Sequence, residues 1–118
     1  MKAILIDVEN KVVKEIDIDK SIDAMYSALK CDCFTIAHSL PKRDSIFVDD
    51  EGLLKPQEFF FTYEGAHQPF AGNGLIMGCK ANGDSADCKI DINEVKSKVV
   101  FYDRFELSMA MAFGKVKY

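Results

Sequence analysis

The sequence predicts an α+β fold: a mostly antiparallel sheet of six or seven short strands with two or three helices packed on it. Three observations lead there. Short runs of β-branched and aromatic residues recur along the chain, bounded by Gly, Pro, Asn or Asp. One segment, residues 21–30, places its apolar residues at helical spacing. The strands of the first half lie too close together for βαβ crossovers, so neighbours must pair antiparallel.

Residues 3–8 (Ala3, Ile4, Leu5, Ile6, Val8) form a short, largely buried strand, Glu9-Asn10-Lys11 a turn, and residues 12–18 a half-exposed strand with imperfect alternation. Ser21 is placed to cap a helix running to about Lys30. Asp19 and Asp23 sit at the positive end of its dipole, and Ile22, Met25, Tyr26 and Leu29 share one face. Residues 31–40 read as a strand, with Cys33, Thr35 and Ala37 on one face and Phe34, Ile36 and His38 on the other. Pro41, which has no N–H for a ladder, ends it. A short strand at 45–49 leads into the turn Asp50-Glu51-Gly52. Beyond Pro56, residues 58–63 make an aromatic strand, 65–74 a loop, 75–79 a returning strand and 81–87 a polar loop containing Asn82-Gly83. Asp91 or Asn93 caps a short helix to Lys98, followed by a strand at 99–102. The tail fits two periods. Phe105, Leu107, Met109, Met111 and Phe113 alternate as in a strand, yet Phe105, Met109 and Phe113 also stack at i, i+4, i+8 among good helix formers. The helix is the preferred reading, with Gly114 suited to its C-terminus, so residues 103–118 form a C-terminal helical extension.

At 118 residues the chain makes one domain, residues 1–118, long enough to bury a core without metal or disulfide staples. Its 15 basic against 19 acidic residues leave a net charge of −4. That balance argues against direct nucleic-acid binding, which needs a basic stripe, and is too weak for a DNA mimic. The opening apolar run stops at Asp7, short of a signal peptide, and no stretch reaches the roughly 20 apolar residues of a membrane span. The expectation is a protein of the cytoplasm with no membrane partner. Its four cysteines, Cys31, Cys33, Cys79 and Cys88, then read as free thiols.

The loop at 65–74 is the strongest candidate site. Gly72-Asn73-Gly74 can present consecutive N–H groups as an anion nest, and His67, Gln68 and Asn73 can add directional hydrogen bonds to a small polar ligand. Its plainer role is a tight loop whose glycines satisfy geometry and whose amides satisfy backbone. It lacks the lysine and following helix of a nucleoside-triphosphate loop. The C-x-C and C-x8-C spacings are not those of zinc knuckles, so neither metal nor cofactor is expected. His38 reads as a strand-end histidine, and no nucleophile and base stand at telling spacing; no catalytic residue is assigned. Asp49, Asp50 and Glu51 are a solvated acidic turn or the acidic edge of an interface. Phe59 and Phe61 belong to a strand with rings on both faces: one face is core, and the other meets the tail, a partner, or a second copy in a homo-oligomer.

Three stretches together, Met1-Lys2-Ala3-Ile4-Leu5-Ile6-Asp7-Val8, Phe47-Val48-Asp49-Asp50-Glu51-Gly52-Leu53-Leu54-Lys55 and Tyr63-Glu64-Gly65-Ala66-His67-Gln68-Pro69-Phe70-Ala71-Gly72-Asn73-Gly74, resemble a family of small phage and prophage proteins of unknown function. The similarity ends with Ile92-Asn93-Glu94-Val95-Lys96-Ser97-Lys98-Val99. The resemblance implies an accessory protein made in an infected bacterium, and it transfers no activity to any residue. The leading expectation is therefore a non-enzymatic protein that binds and occludes a bacterial host protein, with defence components among the targets. The alternative is a small-ligand binder that captures a nucleotide or nucleotide-like signal in the 65–74 loop.

Overall fold

The computed structural model describes residues 1–54, 56–66 and 68–115. The chain runs β1 (Lys2–Asp7), β2 (Val12–Asp17), α1 (Ile22–Leu29), β3 (Phe34–Ser39), β4 (Asp44–Asp49), β5 (Phe59–Tyr63), β6 (Phe70–Ala71), β7 (Gly74–Cys79), β8 (Ser85–Ala86), α2 (Ile92–Lys98), β9 (Val99–Asp103) and α3 (Arg104–Ala112). Single 3-10 turns occupy Pro41–Arg43 and Gly52–Leu54. The class is α+β, as the pattern predicts, but the strands divide between two antiparallel sheets. The larger has the order β2-β1-β7-β4-β3, with β8 paired on β7; the smaller has the order β6-β5-β9.

Strands covered on both faces need no alternation, which explains the uninterrupted apolar runs of β1 and β7. On one side Ile4, Ile6, Ile46, Val48 and Ile76 meet Phe61, Tyr63 and Phe70 of the small sheet and Val95 of α2. On the other, Ala3, Leu75 and Met77 meet Met25 and Leu29 of α1. The layers are thus α1, large sheet, then small sheet with α2. The edge strand β2 keeps the half-exposed pattern, with Val13 buried between exposed Val12 and Lys14.

Helix starts follow their caps. Ser21 Oγ accepts from the Ala24 N–H at 3.1 Å, and the Asp91 side chain accepts from the Asn93 N–H at 3.1 Å. The ambiguous tail is helical because Asp103 and Glu106 form a reciprocal capping box: the Glu106 N–H donates to Asp103 at 2.7 Å and the Asp103 N–H to Glu106 at 3.0 Å. Leu107 and Ala110 are its buried residues. Two sequence expectations are corrected. β3 begins at Phe34 rather than Cys31, and a bulge between Ile36 and His38 breaks its two-face alternation, leaving Ile36 exposed. The 65–74 segment is not all loop, because Phe70–Ala71 pairs with β5.

The register of the small sheet determines which aromatic rings are inside. Phe59, Phe61 and Tyr63 lie opposite Asp103, Phe101 and Val99, whereas Phe60 and Thr62 lie opposite Tyr102 and Val100. The first set faces the large sheet. α3 packs against β9 and β5, and Glu106 in its first turn reaches Lys11 of the β1–β2 turn at 3.7 Å. At Gly78 a Cβ would stand 2.3 Å from the Asp87 carbonyl oxygen, so only glycine lets the 85–89 segment lie against β7.

Candidate functional site

The 65–74 segment begins as a turn, with Gly65 at φ 93, and ends as a structural joint. The Gly72 N–H donates to the Phe59 carbonyl at 3.1 Å. Asn73 is only 6% exposed: its Oδ1 accepts the Val8 N–H at 3.1 Å and its Nδ2 donates to the Ala28 carbonyl at 3.2 Å. Gly74 opens β7, paired to Ile6 and Val48. The Gly72 N–H and the Asn73 side chain, expected to hold an anion, are instead committed to tying β5, the end of β1 and α1 together. His67 lies outside the described residues. Gln68 is exposed and lines two depressions.

The larger of these is a groove of about 580 Å³ over the outer face of the small sheet. Thr62, Val100 and Tyr102 form its sheet side, Gly65, Ala66 and Gln68 one wall, and Ser97, Lys98 and Lys115 the others. Lys98 is also held by Glu94, at 3.6 Å, one helical turn away. Beneath it the Tyr63 hydroxyl is buried without a hydrogen-bond partner among the described residues. Burial, and then the charges of Glu94 and Glu64, push that phenol up from its ordinary value. The His38 ring stands 5.9 Å from the Tyr63 ring, under the Gly65 turn.

The second depression, about 280 Å³, brings Gln68 together with Asp49 and Asp50 beside Ile36 and Leu54. Asp49 is buried, and its Oδ1 accepts the Glu51 N–H at 3.0 Å. Only Asp50 and Glu51 of the acidic triplet face outward. Of the aromatic pair proposed as an interface, Phe61 is 0% exposed in the main core and Phe59 packs against the same core. The ring surface expected of β5 is thus corrected: its register turns Phe59 and Phe61 inward.

Exposed apolar surface lies on α3 instead. Phe105 is 73%, Met109 41% and Phe113 71% exposed, one above the other along the helix. Leu107 and Ala110 hold the opposite side down. The i, i+4, i+8 spacing is legible in the sequence; its outward direction is not.

With this geometry in hand, comparison with known proteins gives a family. A family model described as a domain of unknown function (DUF3846) matches residues 1–99, and the chain belongs to that family. No curated protein and no solved structure matches the chain. The family match ends at the first residue of β9, so the rest of β9 and α3 lie beyond it. Among the described residues no helix is long and apolar enough to cross a membrane.

Proposed function

We propose that the chain is a non-enzymatic binding protein, an accessory of a phage or other mobile element, that docks on a bacterial host protein through α3 and occludes it, with defence components as the target class. The observation behind this reading is the ridge of Phe105, Met109 and Phe113, held outward on a capped helix beyond the family domain. The phage setting rests on the sequence resemblance.

Area decides the kind of partner. Two phenylalanines about 70% exposed and one methionine about 40% exposed offer roughly 400 Å² of apolar surface. A second copy packed ridge to ridge would bury about half of the ~800 Å² per side that a stable interface uses. A partner whose apolar groove encloses the helix also takes in its flanks, Ser108 and Met111, so the fitting occupant is a groove-bearing protein. The β9 edge offers a second copy little more: the Val99 N–H donates to Val95 and the Asp103 N–H to Glu106, which leaves one residue, Phe101, between them.

The test is expression of tagged protein in a bacterial host, comparing the parent chain with the double variant Phe105→Ser/Phe113→Ser. The expected result is an unchanged melting temperature and loss of a stoichiometric partner that purified protein then rebinds. Rebinding by the double variant with equal affinity would remove α3 from the contact; loss of rebinding on Asp50→Lys/Glu51→Lys alone would move it to the acidic turn.

A second reading, capture of a nucleotide-like ligand by the 65–74 loop, draws on the groove that Gly65, Ala66 and Gln68 share with Lys98 and Lys115. It predicts a thermal shift with a nucleotide panel that Lys98→Ala abolishes; the absence of any shift sinks it.

A further inference from the structure

A third depression, of about 680 Å³, lies apart from both the groove and α3 and is lined by Lys20, Arg43, Lys80 and Lys89 together with Cys79 and Asp87. The four cations come from four places in the chain: the approach to α1, the β3–β4 turn, the end of β7 and the segment before α2. Among the described lining residues Asp87 is the single carboxylate, and its Oδ1 accepts the Lys2 backbone N–H at 2.8 Å. Elsewhere Lys2, Lys11, Lys30, Lys98 and Arg104 each stand within 4.0 Å of a carboxylate. Among the described residues none of the four cleft cations has such a partner. A chain of net charge −4 thus gathers four cations around one lining carboxylate, Asp87.

The framework under these charges is built. Asp44 is 1% exposed, and its Oδ2 accepts the N–H groups of both Lys89 and Ile90 at 2.8 Å. That clamp holds the Lys89 segment against the residue next to Arg43. Gly78 admits the Asp87 backbone against β7, which brings the Lys89 segment beside Lys80. The turn itself is strained: Lys42 and Arg43 take φ of 62 and 67 in succession, and the Leu40 N–H closes on the Asp44 carbonyl at 2.9 Å. Hairpin turns of this hand use Asn-Gly, because side chains crowd the left-handed region. Strain of this kind persists where surrounding structure over-determines it, and it gathers at functional sites. Here it aims an arginine at the cleft.

We infer that this cleft binds a compact polyphosphate, the di- or triphosphate chain of a nucleotide or its inorganic equivalent. Three ammonium groups and a guanidinium fork match several phosphate oxygens at once. No aromatic ring is among the described lining residues, so recognition rests on the phosphates and not on a stacked base. An extended nucleic-acid strand would need a continuous basic track, and the remaining surface is acidic in balance.

Calorimetric titration of the full chain with inorganic tripolyphosphate, ATP, AMP and a ten-residue oligothymidylate tests this. Saturable 1:1 binding of tripolyphosphate and ATP is expected, with AMP at least about tenfold weaker and all binding weakened by salt. ATP bound more tightly than tripolyphosphate identifies a nucleotide as the source; equal affinities identify the phosphate chain itself. Arg43→Gly is the decisive variant. It relieves the left-handed strain, so its melting temperature should rise while polyphosphate affinity falls about tenfold. Lys80→Ala and Lys89→Ala should weaken binding similarly, and Lys98→Ala in the other groove should not. Undiminished affinity in Arg43→Gly, no saturable tripolyphosphate binding, or tighter binding of the oligothymidylate would overturn the proposal.

Discussion

Replacing Asn73 by alanine separates scaffold from ligand site. In the folded protein this amide clamps two segments far apart in sequence, accepting from the Val8 N–H and donating to the Ala28 carbonyl. The truncation leaves the Val8 N–H buried with no acceptor, because Val8 itself is buried, at a cost of about 1–3 kcal/mol. The Ala28 carbonyl is only partly buried, so water can replace its donor and the loss there is about 1 kcal/mol or less. The sum, about 1–4 kcal/mol, is a large part of the roughly 5–15 kcal/mol that holds a domain of this size together. It corresponds to a fall in melting temperature of about 10 °C. The chain has no tryptophan, so urea unfolding followed by far-ultraviolet circular dichroism is the suitable assay. The midpoint should drop with the slope unchanged. A loss below about 0.5 kcal/mol at unchanged slope would show that the clamp is not structural.

Three further outcomes are expected. Tyr63→Phe removes a buried hydroxyl with no partner among the described residues and should raise stability by about 1 kcal/mol in the same assay; a loss would mean that the hydroxyl is satisfied in solution. Asp7 is buried, which alone would raise its pKa, but hydrogen bonds from the Asn10 side chain and backbone, with the charges of Lys14 and Lys30, hold it below the ordinary 3.8. A depressed carboxylate contributes stability above its unfolded pKa that is lost as pH falls through the folded one. Asn10→Ala should therefore flatten the acid limb of the stability profile below about pH 4, and superimposable profiles would refute this. Thiol titration of the native protein should label Cys33 first and Cys79 next, with Cys31 and Cys88 reacting only in denaturant. Cys33 is exposed and Cys79 half-exposed, whereas Cys88 is buried and pushed up by that burial and then by Asp44. Cys88 reacting as fast as Cys33 would contradict the packing described.

The candidate sites were legible to very different degrees. The α3 ridge is written in the chain as a helical repeat, and the acidic turn as three consecutive carboxylates. The basic cleft has no local signature, because Lys20, Arg43, Lys80 and Lys89 are scattered over 70 positions of an acidic chain. The 65–74 loop misleads for a related reason: glycines and amides look alike whether they hold a ligand or another strand.

Taken alone, the sequence determined what acts within a few residues. Ser21 caps α1 whatever lies around it, and the apolar runs at 3–6 and 75–77 announce strands buried on both faces. Fold class followed from these periods and from strand spacing. The tertiary structure decided everything that depends on pairing. Register turned Phe61 inward and left Phe105 outside. It split the strands between two sheets, made Asn73 a clamp between residues 65 and 45 positions away, and drew four distant cations into one cleft. Periodicity states that one face of an element is buried; which face, and against what, is settled only when segments far apart in the chain compete to exclude water from the same surface.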